Sequence, residues 1–249
     1  MQFAYGPSVI RVNMPDRSAL LAEVTRRFRA GQGFALATIN LDHLVKLRQD
    51  RAFRDAYAGQ DLVVADGNPI VWLSRLARRP VGLVAGSDLV LPMAQLATAE
   101  GVGIALVGTT DAALAAAAQE IARRVPGCRI ALRIAPPMGF DPDSDAARDL
   151  LHQVRDSGVR LCFLALGAPK QERLAARGRA EAPEVGFASI GAGLDFLAGN
   201  QTRAPQWVRR IAMEWAWRMM SAPKRLVPRY ARCAAILPVE AVAALKQRR

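Results

Sequence analysis

Six short apolar runs recur before residue 200: FALATIN (34–40), DLVVAD (61–66), GIALVG (103–108), CRIALRI (128–134), RLCFLALG (160–167) and GFASIG (186–191). They are near-continuous rather than alternating, the pattern of strands covered on both faces. Between them lie amphipathic stretches such as DAALAAAAQEIARRV (111–125) and DSDAARDLLHQVRDSG (143–158), with Gly127 and Gly158 placed as helix stops. Strand–helix alternation with short loops predicts an α/β fold, a mostly parallel sheet flanked by helices and joined by right-handed crossovers. In such sheets ligands bind beyond the carboxyl ends of the strands. No internal repeat and no low-complexity linker interrupts the pattern.

After Gly199 the strand pattern stops. The stretch reads as short helices broken at Pro205, Pro223, Pro228 and Pro238. We therefore divide the chain into an α/β core, 1–199, and a helical appendage, 200–249. Of the net charge of +12, most sits in the appendage, which holds eleven Lys/Arg against two acids. It also holds Trp207, Trp215 and Trp217. Such a segment attracts nucleic acid, anionic lipid or phosphorylated ligands. By composition alone it fits equally a membrane–water interface and a helical layer with core tryptophans and solvated arginines.

The remaining bulk features exclude more than they assign. Three scattered cysteines and two histidines give neither a disulfide framework nor a metal-ligand cluster, and a reducing compartment fits best. The first residues lack the basic and apolar regions of a signal peptide, and no apolar run reaches the ~18 residues of a membrane span. Neither GxGxxG nor GxxxxGK[ST] occurs in the right context: Gly191 and Gly193 follow a strand, but Phe196 stands where the third glycine belongs. FDPDSD (140–145) has the Asp-x-Asp spacing of a divalent-metal site, yet it precedes a helix that Asp143 or Ser144 can cap, so no metal and no cofactor is expected.

Polar residues gather at the predicted strand ends. Thr38 and Asn40 are two apart and project to one side of an extended chain. Asn40 can also cap the helix that follows. Asp66 ends the next strand; with Pro69 as first helical residue and Asn68 as N-cap, Asp66 is not needed for capping. In LALGAPKQER (164–173), Pro169 again suits a helix start, but Ala168 offers no side-chain cap. The first N–H groups there need another partner, such as a phosphate or sugar oxygen, with Gln171 and Glu172 in the same turn. In GSD (86–88), Ser87 or Asp88 is most simply an N-cap.

TINLDHLV, ADGNPIVW, AGSDL, LGAPKQE, GAGLDFLAG, RAPQW and EWAWR, in this order over about residues 35–230, resemble the family 26 glycosyltransferases, the WecG/TagA/CpsF family. The resemblance implies a Rossmann-like core with a membrane-associating C-terminal appendage. It implies a metal-independent, inverting transfer from a UDP-sugar, N-acetylmannosamine or a relative, to an undecaprenyl-diphosphate-linked saccharide. Position by position it makes Asp66 the general base and Thr38, Asn40 and Gln171 substrate contacts, with Asp195 another active-site position. Arg218, Arg225 and Arg229 match arginines that hold the acceptor's diphosphate. Where the family carries an arginine ahead of GSD, this chain has Leu83, with Arg78 and Arg79 nearby in sequence.

The reading places the protein in the cytoplasm, peripheral on the inner face of the bacterial membrane through an anionic-lipid contact, and leaves self-association as a homo-oligomer open. Two rivals are weighed. A nucleic-acid-binding protein would explain the basic tail, but no helix-turn-helix, RRM or KH pattern appears, so no nucleic acid is expected. A dinucleotide-dependent oxidoreductase lacks its fingerprint. In the transferase reading, a carboxylate in a partly apolar cleft is raised toward neutrality by burial and takes the acceptor's proton.

Overall fold

A computed structural model describes residues 1–202, 204–205, 207–208, 213–221 and 223–248. An antiparallel hairpin, β1 (Gln2–Tyr5) and β2 (Ser8–Arg11), turns at Gly6 and precedes helix α1 (Arg17–Arg29). Then come β3 (Phe34–Ile39), α2 (Leu41–Gln49), α3 (Arg51–Ala58), β4 (Leu62–Ala65) and α4 (Asn68–Leu76). A 3-10 turn, Gly86–Asp88, leads into α5 (Val90–Ala99), β5 (Ile104–Gly108), α6 (Asp111–Arg124) and β6 (Ile130–Ile134). α7 (Asp145–Asp156), β7 (Leu161–Ala165), α8 (Lys170–Glu181), β8 (Gly186–Ser189) and α9 (Gly193–Leu197) complete the body. α10 (Glu214–Ser221) and α11 (Pro223–Lys246) follow.

All six strands expected from the apolar runs form one parallel sheet, in the order β4-β3-β8-β7-β5-β6. β3 shows why its run had to be continuously apolar. Phe34 and Leu36 pack toward α1 and α5, Ala35 toward α7 and α8, and Ala37 and Ile39 toward α2, α3 and α4. The hairpin was not anticipated. Only Phe3 and Ile10 of it are deeply buried, so its alternation is too short to stand out.

The expected breaks in the C-terminal segment do not all occur. α11 runs unbroken through Pro228 and Pro238. Pro223 opens the helix, where no intrahelical donor is lost. Pro228 and Pro238 are exposed, as are Lys224 and Ala234, whose carbonyls lose their helical donor on the face open to solvent. The opposite face is stitched to the core. Leu226, Cys233, Glu240 and Ala244 are buried, and Ile236, Leu237 and Ala241 pack with α2 and α4. Glu240 accepts from Arg48 Nη2 (2.9 Å) and from the Tyr5 hydroxyl (3.2 Å). No helix among the described residues is long and apolar enough to cross a membrane.

Candidate active site

The carboxyl ends of the strands form one polar edge. β3 and β4 pair in register, Ile39 opposite Ala65, so Asn40 and Asp66 emerge side by side. Asp66 is half-buried, and the backbone beneath it is held on both sides. The Asp66 N–H donates to the Ile39 carbonyl (2.8 Å), and the Ala65 carbonyl accepts from the Val84 N–H (2.8 Å). These two groups belong to one peptide unit. The second bond arises because Leu83 forms a parallel bridge with Ala65, bringing the chain back beside the edge strand. Leu83, at the position where an arginine was expected from the resemblance, is 47% exposed.

Helix α4 starts one residue earlier than the sequence suggested. Asn68 is its first residue, the capping position falls on Gly67 (φ +118°), and no side chain caps it. Asp66 remains outside the helix. The positive φ explains the glycine, since an L side chain is strained in that region. α8 shifts the other way: it starts one residue later than expected, at Lys170, with Pro169 in the capping position and again no side-chain cap. Nor do Ser87 or Asp88 cap α5; they form the 3-10 turn, and Leu89 precedes the helix.

Asn40 does cap α2, its Oδ1 accepting from the His43 N–H at 3.1 Å, which leaves Nδ2 as its available donor. Thr38 is buried at the end of β3, with its hydroxyl 3.4 Å from the Ser189 carbonyl. Gly86 lets the 3-10 turn approach here. A Cβ on it would lie 3.2 Å from Thr38 Oγ1 and 3.2 Å from the Ile190 carbonyl oxygen. Asp195, on α9, accepts from the Thr109 hydroxyl (2.8 Å) beyond β5. Thr109 itself has φ +47° and follows Gly108, whose own φ is +131°.

Gln171 is buried and spans two strand ends: its Oε1 accepts from the Gly191 N–H (3.2 Å) and its Nε2 donates to Glu172 Oε1 (2.8 Å). Glu172, expected beside it at the substrate, has no exposed surface at all. It lies under the site floor near His43 and Tyr57. Burial pushes its carboxyl up to about 7, partly offset by the bond from Gln171. Burial also drives His43 down to about 3, so the ring stays neutral. The same burial, with the fields of Glu172 and Asp66, lifts the Tyr57 phenol far above its ordinary range.

Arg229 reaches the site from α11. Its Nε lies 3.1 Å from Asp42 Oδ1, an ion pair without an aligned hydrogen bond. Asp42 Oδ2 meets Lys46 Nζ (2.9 Å), and Lys46 also donates to the Ala168 carbonyl (3.0 Å) ahead of α8. The side chains of Arg218 and Arg225 lie outside the described residues. In the Asp-x-Asp loop, Ser144 caps α7 and Asp143 pairs with Arg173. Among the described residues no group of three or more His, Cys, Asp or Glu could hold a metal ion.

Sequence reasoning missed Lys46, Asp42, Thr109 and the buried His43–Tyr57 pair. The Asp42–Lys46 spacing of a helical ion pair was a visible signal; the other contacts are tertiary.

A parallel α/β sheet with a carboxylate and amides gathered at its carboxyl edge is a frame that many enzyme classes share, and the comparisons narrow it to glycosyltransferases. The chain belongs to the glycosyl transferase WecG/TagA/CpsF family, whose model matches residues 8–249. A protein of Bacillus subtilis (strain 168), N-acetylglucosaminyldiphosphoundecaprenol N-acetyl-beta-D-mannosaminyltransferase, is 27% identical over 206 residues, 80% of this chain and 78% of its own. A protein of the same name in Bacillus spizizenii is 25% identical over 195 residues, covering 78% and 74%.

Proposed function

We propose that this glycosyltransferase moves a sugar, N-acetylmannosamine or a close relative, from a UDP donor to an undecaprenyl-diphosphate-linked saccharide, with inversion and without a metal. The names of the two relatives support the substrate classes. The observation that carries the chemistry is the half-buried Asp66 at the end of β4, beside Asn40 and next to a helix start that no side chain caps.

In a single displacement, the acceptor hydroxyl attacks the anomeric carbon as the bond to the nucleotide diphosphate breaks. Asp66 takes the hydroxyl proton. Thr38, Asn40 and Gln171 contact the substrates, with Asp195 set by Thr109 at the neighbouring strand end. Negative charge on the departing diphosphate is met by cations and by N–H groups of uncapped helix starts, of which α4 and α8 provide two. Arg218, Arg225 and Arg229 hold the acceptor's diphosphate.

Residues 200–249 are the appendage that meets the lipid at the inner face of the cytoplasmic membrane. Exposed Trp207, Trp215 and Met220 support that reading over a buried helical layer.

The test is Asp66→Asn assayed with UDP-N-acetylmannosamine and an undecaprenyl-diphosphate-linked N-acetylglucosamine. Turnover should fall ~10²–10⁴-fold with the fold intact. Turnover near wild type removes Asp66 from the base role.

A further inference from the structure

We propose that Glu172 is a positioning residue of the transfer reaction, acting through Gln171, and that its ionised carboxylate is the form that holds the Gln171 amide in its working orientation. The proposal rests on the transferase reading above and deepens it.

Geometry fixes the amide first. A backbone N–H can only donate, so the Gln171 oxygen must face Gly191, and its nitrogen must face Glu172. Glu172 Oε1 is therefore obliged to accept. Gln171 thereby bridges the start of α8 and the β8–α9 loop at the carboxyl edge of the sheet. Glu172 itself is out of a substrate's reach, because none of its surface is exposed, so it acts only through the amide it holds.

Its surroundings make the carboxyl costly and responsive. Oε2 has no partner in hydrogen-bond geometry, while the Gln171 amide, the residue's own backbone N–H and the charge of Lys46 each pull the carboxyl back down against its burial. From α2, His43 Nε2 stands 4.0 Å from Oε1, and Lys46 is engaged by Asp42 and the Ala168 carbonyl. From α3, the Tyr57 hydroxyl lies 3.1 Å from His43 Nδ1. Tyr57 keeps its proton and His43 is neutral, so one hydrogen lies between the hydroxyl and Nδ1 while Nε2 faces Glu172. Asp66, at the end of β4, acts on the same phenol. β3 and β8 carry no ionisable side chain, and the one on β7, Cys162, is buried with its thiol pushed far up. α7 meets α8 through His152 and Glu181, at the far end, while Arg173 turns to Asp143.

Two protonation states follow. Ionised, Glu172 accepts fully from Gln171, with His43 Nε2 4.0 Å from Oε1. Neutral, it either places the proton on the unpartnered Oε2 or turns a donor toward the Gln171 amide. Burial raises the carboxyl to about 7, so both states are populated near neutral pH. A purely structural role would be served by an uncharged amide, which avoids the cost of burying a charge.

The experiment measures kcat and KM for donor and acceptor from pH 5.5 to 9, on wild type, Glu172→Gln, Glu172→Ala, Gln171→Ala and the double alanine variant. Wild-type kcat should climb as pH rises through about 7. Glu172→Gln keeps an acceptor oxygen for Gln171, should fold, and should lose that limb. Each alanine variant should lower kcat by up to ~10²-fold, as misplacement of a contact does, and the double variant little further. A Glu172→Gln profile that overlays wild type overturns the proposal, as do additive alanine effects. If Glu172→Ala does not fold, the Glu172→Gln profile alone decides. A wild-type chain that transfers no sugar overturns the transferase substrates instead, an outcome distinct from any variant pattern.

Discussion

Asp42 on α2 and Arg229 on α11 meet where the two helices pack, Oδ1 to Nε at 3.1 Å. Burial alone would raise the Asp42 carboxyl, but Arg229 and Lys46 outweigh it and hold it low. A depressed carboxylate contributes stability above its unfolded value of 3.8, lost as pH falls through the folded value. Asp42→Asn should loosen this corner of α11, worth about 1 kcal/mol for a partly exposed pair. Hydrogen exchange should quicken in residues 223–246, and the acceptor KM should rise several-fold with the donor KM unchanged. Unaltered exchange and KM would show that Asp42 does not position Arg229.

Glu172 has a stability signature opposite in sign to its effect on turnover. Its folded value of about 7 lies above the ordinary 4.5, so the fold favours the proton. Its contribution is full below 4.5 and is lost as pH rises through about 7. Wild type should therefore melt progressively lower than Glu172→Gln between pH 5.5 and 8, by a few degrees. Parallel melting curves across that range would place the titration elsewhere.

Glycines at the strand ends differ in what they tolerate. At Gly108 a Cβ would lie 2.5 Å from the Ala165 carbonyl oxygen, at φ +131°. At Gly101 the φ is +67° but nothing lies within 4 Å. Gly108→Ala should cost at least ~2 kcal/mol through overlap and strain together, Gly101→Ala about 1 kcal/mol through strain alone. Chemical denaturation separates the two, and equal costs would mean that β7 yields without penalty.

Trp207 and Trp215, 66% and 45% exposed, test the membrane reading. Replacing both by alanine should lower partition onto anionic vesicles several-fold, while transfer to a short-chain, water-soluble acceptor persists. Vesicle binding that stays unchanged by sedimentation would assign these rings another partner. Substitution is preferable to removing the segment, because α11 covers apolar residues of α2 and α4.

The sheet was legible because each strand needed apolar residues on both faces, and continuous runs such as LCFLA have no other simple reading. The strand-end position of Asp66 and Asn40 followed directly from those boundaries. What sequence did not reveal depended on packing between distant elements. Glu172 looks like a first-turn acid of α8; only the approach of α2 and α3 buries it. Pro228 and Pro238 look like helix breaks, yet both fall on the exposed face of α11, where the carbonyls they leave unpaired belong to exposed residues. The resemblance named Arg229, but its partner Asp42 became visible only when α11 was laid on α2. Leu83 departs from the family pattern, and the structure adds that its backbone still performs a task there, pairing beside Ala65.

That pairing bears on how the enzyme handles different substrates. The peptide unit between Ala65 and Asp66 is gripped by Ile39 on one flank and Val84 on the other, each at 2.8 Å. A carboxylate mounted on such a plane can rotate about its own side-chain bonds but cannot travel with its backbone. In the mechanism proposed above, alignment during a reaction cycle is therefore the task of the incoming sugars and of the loops around Asp66. Tolerance of a new donor or acceptor should evolve in those loops, with the position of the acid as the fixed coordinate against which each substrate is measured.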